Sequence, residues 1–182
     1  MTATELMPLA LAWVLYFVIH SVLASLLVKT WVARQWPGLM PWYRLFFNAT
    51  AGILILVPLY MTFSAPGEPV WAWRGGWFYL ANGIALVAVA GFFFSLRFYD
   101  GSEFIGLRQL REREHRVEDQ DSCHLSPRHE PVRHPRYFLG PIWISTRDMP
   151  PAMLLTAISA TLSFVIGSYL EERKLVVYYG DV

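Results

Sequence analysis

The chain has 182 residues, of which 55% are hydrophobic and 16% charged, and its formal net charge is +1. The length suits one domain, the apolar share is too high for an ordinary soluble one, and the near-neutral balance gives no support for a nucleic-acid partner. Cys123 is the only cysteine, which excludes an intrachain disulfide and a cysteine-rich metal site.

Segment 1–8 carries Glu5 but no Lys or Arg. It lacks the basic region of a cleavable signal peptide, so the first apolar run is read as a retained membrane anchor. That run covers 9–28, and two more follow at 43–63 and 77–96. Each is long enough to span a hydrocarbon core of about 30 Å as a helix of about 20 residues. A fourth run, 151–170, starts after Pro150 and stops at Glu171. None alternates apolar with polar residues as barrel strands do, so the chain reads as an all-α, polytopic integral membrane protein forming one membrane domain over 1–182. Trp31, Trp36, Trp42, Tyr43, Trp71, Trp73 and Trp77 gather at run ends, where amphipathic rings sit at headgroup level.

The connections set an expected orientation. The first carries Lys29, Arg34 and Arg44, the second only Arg74, and the third, within 97–148, nine arginines. By the excess of Lys and Arg on cytoplasmic loops, the first and third face the cytoplasm and the N-terminus lies outside, which in a bacterium means the inner membrane.

Within the cytoplasmic linker 97–136, "GLRQLREREHRVEDQD" repeats leucine at Leu107 and Leu110 and allows Glu112 to pair with Arg116. This predicts a short helix along the membrane surface. Beyond it, Pro127, Pro131 and Pro135 hold the chain extended. The apolar stretch 137–146 is too short to cross the core as a helix, because ten residues rise only about 15 Å. It is read as a short helix that enters from the cytoplasmic side and forms a hairpin with the span 151–170. The hairpin places Arg133 to Tyr137 and Glu171 to Lys174 on one face of the membrane. The alternative would put Arg173 and Lys174 on the side that loops poor in Lys and Arg prefer.

Two groups at the open end of that hairpin stand out as candidates for chemistry, the alternative being that such boundary residues are interface anchors. Arg133, His134 and Tyr137 combine a cation, an imidazole and a phenol, and Glu171 and Glu172 are adjacent carboxylates. Together they suit a small zwitterion, with carboxylates for its ammonium group and Arg or His for its carboxylate.

"VRHPRYFLG", followed some thirty residues later by "EERKL", resembles the membrane methyltransferases. These include isoprenylcysteine carboxyl methyltransferase, the phospholipid N-methyltransferases and the bacterial methanethiol S-methyltransferases. "EFIGLRQL", Glu103 to Leu110, resembles the segment before this core in the thiol-methylating branch, and "IHSVLAS", Ile19 to Ser25, resembles the first helix of the nitrite-respiration membrane proteins. The similarity covers most of the chain, and its specific part is 103–175. The resemblance implies S-adenosylmethionine held at the cytoplasmic face and a methyl acceptor that is lipophilic or small and membrane-soluble: an isoprenylcysteine-like carboxylate, a small thiol or a lipid. His134, Pro135 and Tyr137 would then line the cofactor site, Gly140 would permit close packing, and Glu171 and Glu172 would bind the donor's amino group or ribose. Arg133 and Arg173 would meet the substrate or the cofactor carboxylate, and His134 or His129 would serve as base for a thiol, whereas a carboxylate acceptor needs none.

His20 lies inside the first run near Ser21 and Ser25. It reads first as a hydrogen-bonded structural residue, and second as an axial haem ligand, since the superfamily's relatives include haem-containing carotene isomerases. The haem reading belongs to the alternative overall, a non-enzymatic or haem-binding membrane protein of the same superfamily, and no other apolar run supplies a second His. Asn48 and Asn82 read as interhelical hydrogen-bonding pegs. Cys123 has no partner that would activate it. His115, His124 and His129, spaced nine and five apart, match no familiar metal pattern.

Overall fold

A computed structural model of the chain describes residues 3–65, 67–96, 101–113 and 148–179. In chain order the elements are α1 (Ala3–Ala24), α2 (Leu26–Gln35), a single 3₁₀ turn (Pro37–Leu39), α3 (Met40–Ser64), β1 (Trp71–Ala72) and α4 (Gly76–Leu96). Then come α5 (Gly101–Ile105), α6 (Leu107–Glu112), β2 (Asp148–Met149) and α7 (Pro151–Tyr179). The protein is mostly helical, as its apolar runs predict. Three helical stretches are long and apolar enough to cross a membrane: Leu6–Ala24, Pro37–Ser64 and Gly76–Phe94. The stretch Pro151–Gly167 is a shorter apolar part of α7.

The helices are packed as lipid requires. Their outward faces carry Val14, Val18, Ile53, Leu56, Leu86 and Val87, all exposed, while small or hydroxylated residues (Thr62, Ala81, Ala88, Ala152, Thr156) are buried. That inversion is the signature of helices solvated by hydrocarbon, where close approach and hydrogen bonds, rather than apolar burial, hold them together. A chain of such bonds ties three helices. The Trp13 indole N–H donates to Thr156 Oγ1 at 3.0 Å, Thr156 Oγ1 lies 2.6 Å from Thr62 Oγ1, and Thr62 donates to the Pro58 carbonyl at 2.7 Å. Since the single Thr62 proton goes to Pro58, Thr156 donates to Thr62 and every hydroxyl in the chain is satisfied. Leu9, Trp13 and Ala152 form the buried cluster around this point, with Leu59 and Leu155 packed against it.

The first run departs from its predicted bounds. Its helix ends at Ala24 rather than 28, because Ser25 takes an extended conformation (φ −72°, ψ 147°) and caps a new helix, its side chain accepting from Val28 N. The same hydroxyl donates to the Val22 carbonyl at 2.6 Å, closing the end of α1. Serine is well suited to this because its short side chain satisfies a first-turn N–H that otherwise has no partner. Lys29, counted above as a loop charge, therefore lies on α2 and is buried.

The ends of the bundle are defined by contacts. At one end Tyr43 donates to the Leu23 carbonyl and His20 packs on Phe47 with ring centroids 4.8 Å apart, so α1 and α3 run antiparallel. At the other end β1 pairs antiparallel with β2, Trp71 facing Met149 and Ala72 facing Asp148. Met149 is 1% exposed, and its carbonyl accepts from Val70 N at 2.8 Å. α7 thus begins beside the connection between α3 and α4 and runs back along α3 and α1.

Candidate functional site

The third connection returns to the beginning of α3. Asn48 Nδ2 donates to the Ile105 carbonyl at 3.1 Å, an interhelical bond as expected, from α3 to the end of α5 in the linker. Asn82 donates to Phe78 O in its own helix at 2.7 Å, an intrahelical bond in place of the expected interhelical one. Gly106, in the left-handed region at φ +100°, sits so close to α3 that a Cβ there would lie 2.8 Å from Leu45 N and 3.1 Å from the Arg44 carbonyl carbon. Only glycine combines that backbone conformation with that approach. α6 follows and ends at Arg113, also left-handed, whose N–H returns to the Gln109 carbonyl.

On α6 Arg108 pairs with Glu112, Nε 3.3 Å from each carboxylate oxygen; Arg116, the expected partner of Glu112, lies outside the described residues. The pair is partly exposed, and such i,i+4 pairs contribute about 0.3–0.5 kcal/mol. Leu107 faces outward at 50% exposed, as a helix along a membrane surface requires, while Gln109 is 1% exposed. Gln109 follows Gly106 by three residues and shares its face. Neither its Nε2 nor its Oε1 has a hydrogen-bond partner among the described residues. Leaving a buried polar atom unpaired costs about 1–3 kcal/mol, so a carboxamide held this way needs a partner from elsewhere.

The two connections rich in Lys and Arg therefore share one end. Lys29 and Arg34 on α2, Arg44 on α3, and Arg108, Arg111 and Arg113 on or beside α6 gather there, whereas the strand end carries Glu68, Arg74 and Asp148. The helical rise brings the backbone of Glu171 and Glu172 to the same height. Asn48 precedes Thr62 by fourteen residues and Glu171 follows Thr156 by fifteen. At 1.5 Å per residue, both lie roughly 21–23 Å from the Thr62–Thr156 contact, toward the basic end.

α7 continues without interruption through Glu171, Glu172 and Arg173 to Tyr179, although the apolar run stops at 170. The side chains of these three residues lie outside the described part of the structure. Arg133, His134, Pro135, Tyr137 and Gly140, together with His129 and the stretch 137–146, also lie outside the described residues. The structure thus gives the axial level of one half of the predicted site and adds Gln109, to which the sequence reading assigned no role. A signal existed: Gln109 stands between Leu107 and Leu110 on the face opposite the leucine repeat.

His20 differs from its first reading. Its ring packs between Tyr16, centroids 5.7 Å apart, and Phe47, and its Nδ1 is buried with no hydrogen-bond partner among the described residues.

At the basic end the buried Gln109 amide has no hydrogen-bond partner among the described residues, and the backbone of Glu171 and Glu172 reaches the same level.

In comparisons with known proteins, no protein-family model matches the chain and no solved structure matches it. A curated protein does: the chain is 28% identical over 191 aligned positions to a methanethiol S-methyltransferase of a Pseudomonas species, covering 94% of this chain and 70% of that protein. The likeness spans the membrane helices and the linker alike, and it points to a methyltransferase.

Proposed function

We propose that this protein is an integral membrane methyltransferase that uses S-adenosylmethionine to methylate a lipophilic or small membrane-soluble acceptor, a small thiol foremost. The reading is carried by the similarity to a methanethiol S-methyltransferase over 94% of the chain. It is supported by the helix packing, which brings the linker segment 101–113 and the backbone of Glu171 and Glu172 to one end of the bundle. That end, rich in Lys and Arg, faces the cytoplasm under this reading.

When bound, S-adenosylmethionine supplies a methyl group on a cationic sulfur, open to in-line displacement. The chain's own residues do the rest. Glu171 and Glu172 hold the donor's ammonium or ribose, and Arg133 and Arg173 hold carboxylates of donor or acceptor. His134, Pro135 and Tyr137 line the donor, and Gly140 permits close packing. His134 or His129 takes the proton from a thiol acceptor, leaving the thiolate sulfur as the attacking atom. The main catalytic contribution is positioning, which can remove about 7–11 kcal/mol from the barrier of a bimolecular step.

The test is transfer of labelled methyl from S-adenosylmethionine by detergent-purified protein to a panel of methanethiol, isoprenylated cysteine analogues and membrane lipids. Label is expected on one acceptor class, and the double variant Glu171→Ala with Glu172→Ala is expected to lose it while keeping its helical circular dichroism. Folded wild type that labels none of the three classes would overturn the proposal.

A further inference from the structure

We propose that α4 is the interface between two copies of this chain in the membrane, meeting along Tyr79, Asn82, Leu86 and Phe93 with the two Asn82 carboxamides paired across the contact. Asn82 lies six residues past the start of α4 at Gly76, about 9 Å along the helix and inside the apolar span Gly76–Phe94. Its side chain is exposed, and one of its two N–H groups goes to the Phe78 carbonyl of its own helix at 2.7 Å. The second N–H and the carboxamide oxygen have no partner among the described residues. Hydrocarbon offers neither donor nor acceptor, so polar side chains inside spanning helices face other helices or a water-filled cavity. Asn82 points instead about a third of a turn away from the side of α4 that is buried at Ala81 and Ala88.

The surroundings of Asn82 fit a second helix of the same kind. Tyr79, Leu86 and Phe93 are exposed, and positions 79, 82, 86 and 93 follow one another at spacings of three, four and seven. That is the 3.5-residue period of a left-handed helix pair, and it draws one seam along one side of α4. A second copy inserted in the same direction is related to the first by a two-fold axis normal to the membrane. This sets the two α4 helices parallel and brings both Asn82 residues to one height. A carboxamide with one N–H and one oxygen to spare is its own complement, able to donate to its twin and accept from it, as a cation or a carboxylate is not. Interhelical bonds of this kind are among those that hold membrane helices together.

Two measurements test the pairing. Leu86→Cys and Ile84→Cys, each in a Cys123→Ser background, are oxidised in native membranes; both positions are exposed, but Ile84 lies on the other side of α4 from the seam. Leu86→Cys is expected to give a crosslinked dimer rapidly and Ile84→Cys is not. Sedimentation of detergent-purified protein over a concentration series then reads the equilibrium. Wild type is expected to dimerise, and Asn82→Leu to need about tenfold more protein to do so, a difference of about 1.4 kcal/mol. Leucine is similar in size and suits an exposed position in hydrocarbon, so the variant is expected to keep its helical circular dichroism. Equal crosslinking at 84 and 86, the result of chance collision, would overturn the proposal, as would a dimer that Asn82→Leu leaves unchanged. A monomeric wild type would overturn it as well, and a loss of thermal stability in Asn82→Leu would then assign this face of α4 to another part of the same chain.

Discussion

Replacing Gly106 by alanine isolates the contact that seats the linker on the membrane helices. A Cβ there would lie 2.8 Å from Leu45 N and 3.0 Å from Arg44 Cβ, against an ordinary carbon contact of about 3.5–4.0 Å. The atoms met are backbone and the root of a side chain, so neither can swing aside. The residue also holds φ +100°, and a left-handed conformation costs a residue with a Cβ about 1–2 kcal/mol. Forcing one extra methyl into a packed site adds about 1–3 kcal/mol. The expected loss is therefore roughly 2–5 kcal/mol, relieved only if α6 lifts from α3 and breaks the Asn48 bond to Ile105. Gly83→Ala is the matched control, since a Cβ at Gly83 meets nothing within 4 Å and alanine is the better helix former by about 0.5–1 kcal/mol. Thermal unfolding of both variants in one detergent, followed by tryptophan fluorescence, reads the difference. Gly106→Ala is expected to unfold several degrees below wild type and Gly83→Ala at or above it. Coincident transitions for Gly106→Ala and wild type would refute the close approach of linker and helix.

Three further outcomes follow from the packing. Thr156→Val removes the group that accepts from Trp13 and bonds Thr62; it is expected to cost about 1–2 kcal/mol in chemical unfolding, near the upper end for hydrogen bonds between membrane helices, and a cost near zero would mean the chain of bonds is not formed. Ala72→Cys with Asp148→Cys, in a Cys123→Ser background, places two thiols at facing positions of the strand pair, where Cα atoms about 4.5–5.5 Å apart allow a disulfide; rapid oxidative crosslinking is expected, and its failure would detach the start of α7 from the second connection. His20→Phe keeps the ring packing with Tyr16 and Phe47 and removes the unpartnered Nδ1, so unfolding is expected at or above the wild-type midpoint; a Soret band in purified wild type that this change abolishes would favour the haem-binding alternative.

The spanning helices were legible in the sequence because hydrocarbon leaves few choices: runs of about 20 apolar residues must satisfy their backbone internally. Charge counting grouped the connections that carry Lys29, Arg34 and Arg44 with the linker, and among the described linker residues Arg108, Arg111 and Arg113 do lie at the same end of α3. What escaped the sequence was local. Ser25 sits inside an apolar run, and nothing in hydropathy separates a serine that stays helical from one that caps the next helix. The role of Asn48 depended on where the linker returned, a contact fifty-seven residues away. Gln109 was hidden by the leucines beside it, because a period of apolar residues announces the face that meets lipid and says nothing about a buried amide opposite. Glu171 and Glu172 were singled out by their adjacency, while the axial level of their backbone comes from the Thr62–Thr156 contact and the helical rise.

The central claim is that the basic end of the bundle holds S-adenosylmethionine, and binding of S-adenosylhomocysteine measured by calorimetry on folded, detergent-purified protein tests it most directly. The account predicts saturable binding at one site per chain, abolished in the double variant Glu171→Ala with Glu172→Ala. No heat of binding from folded wild type, or affinity undiminished in the double variant, would contradict it.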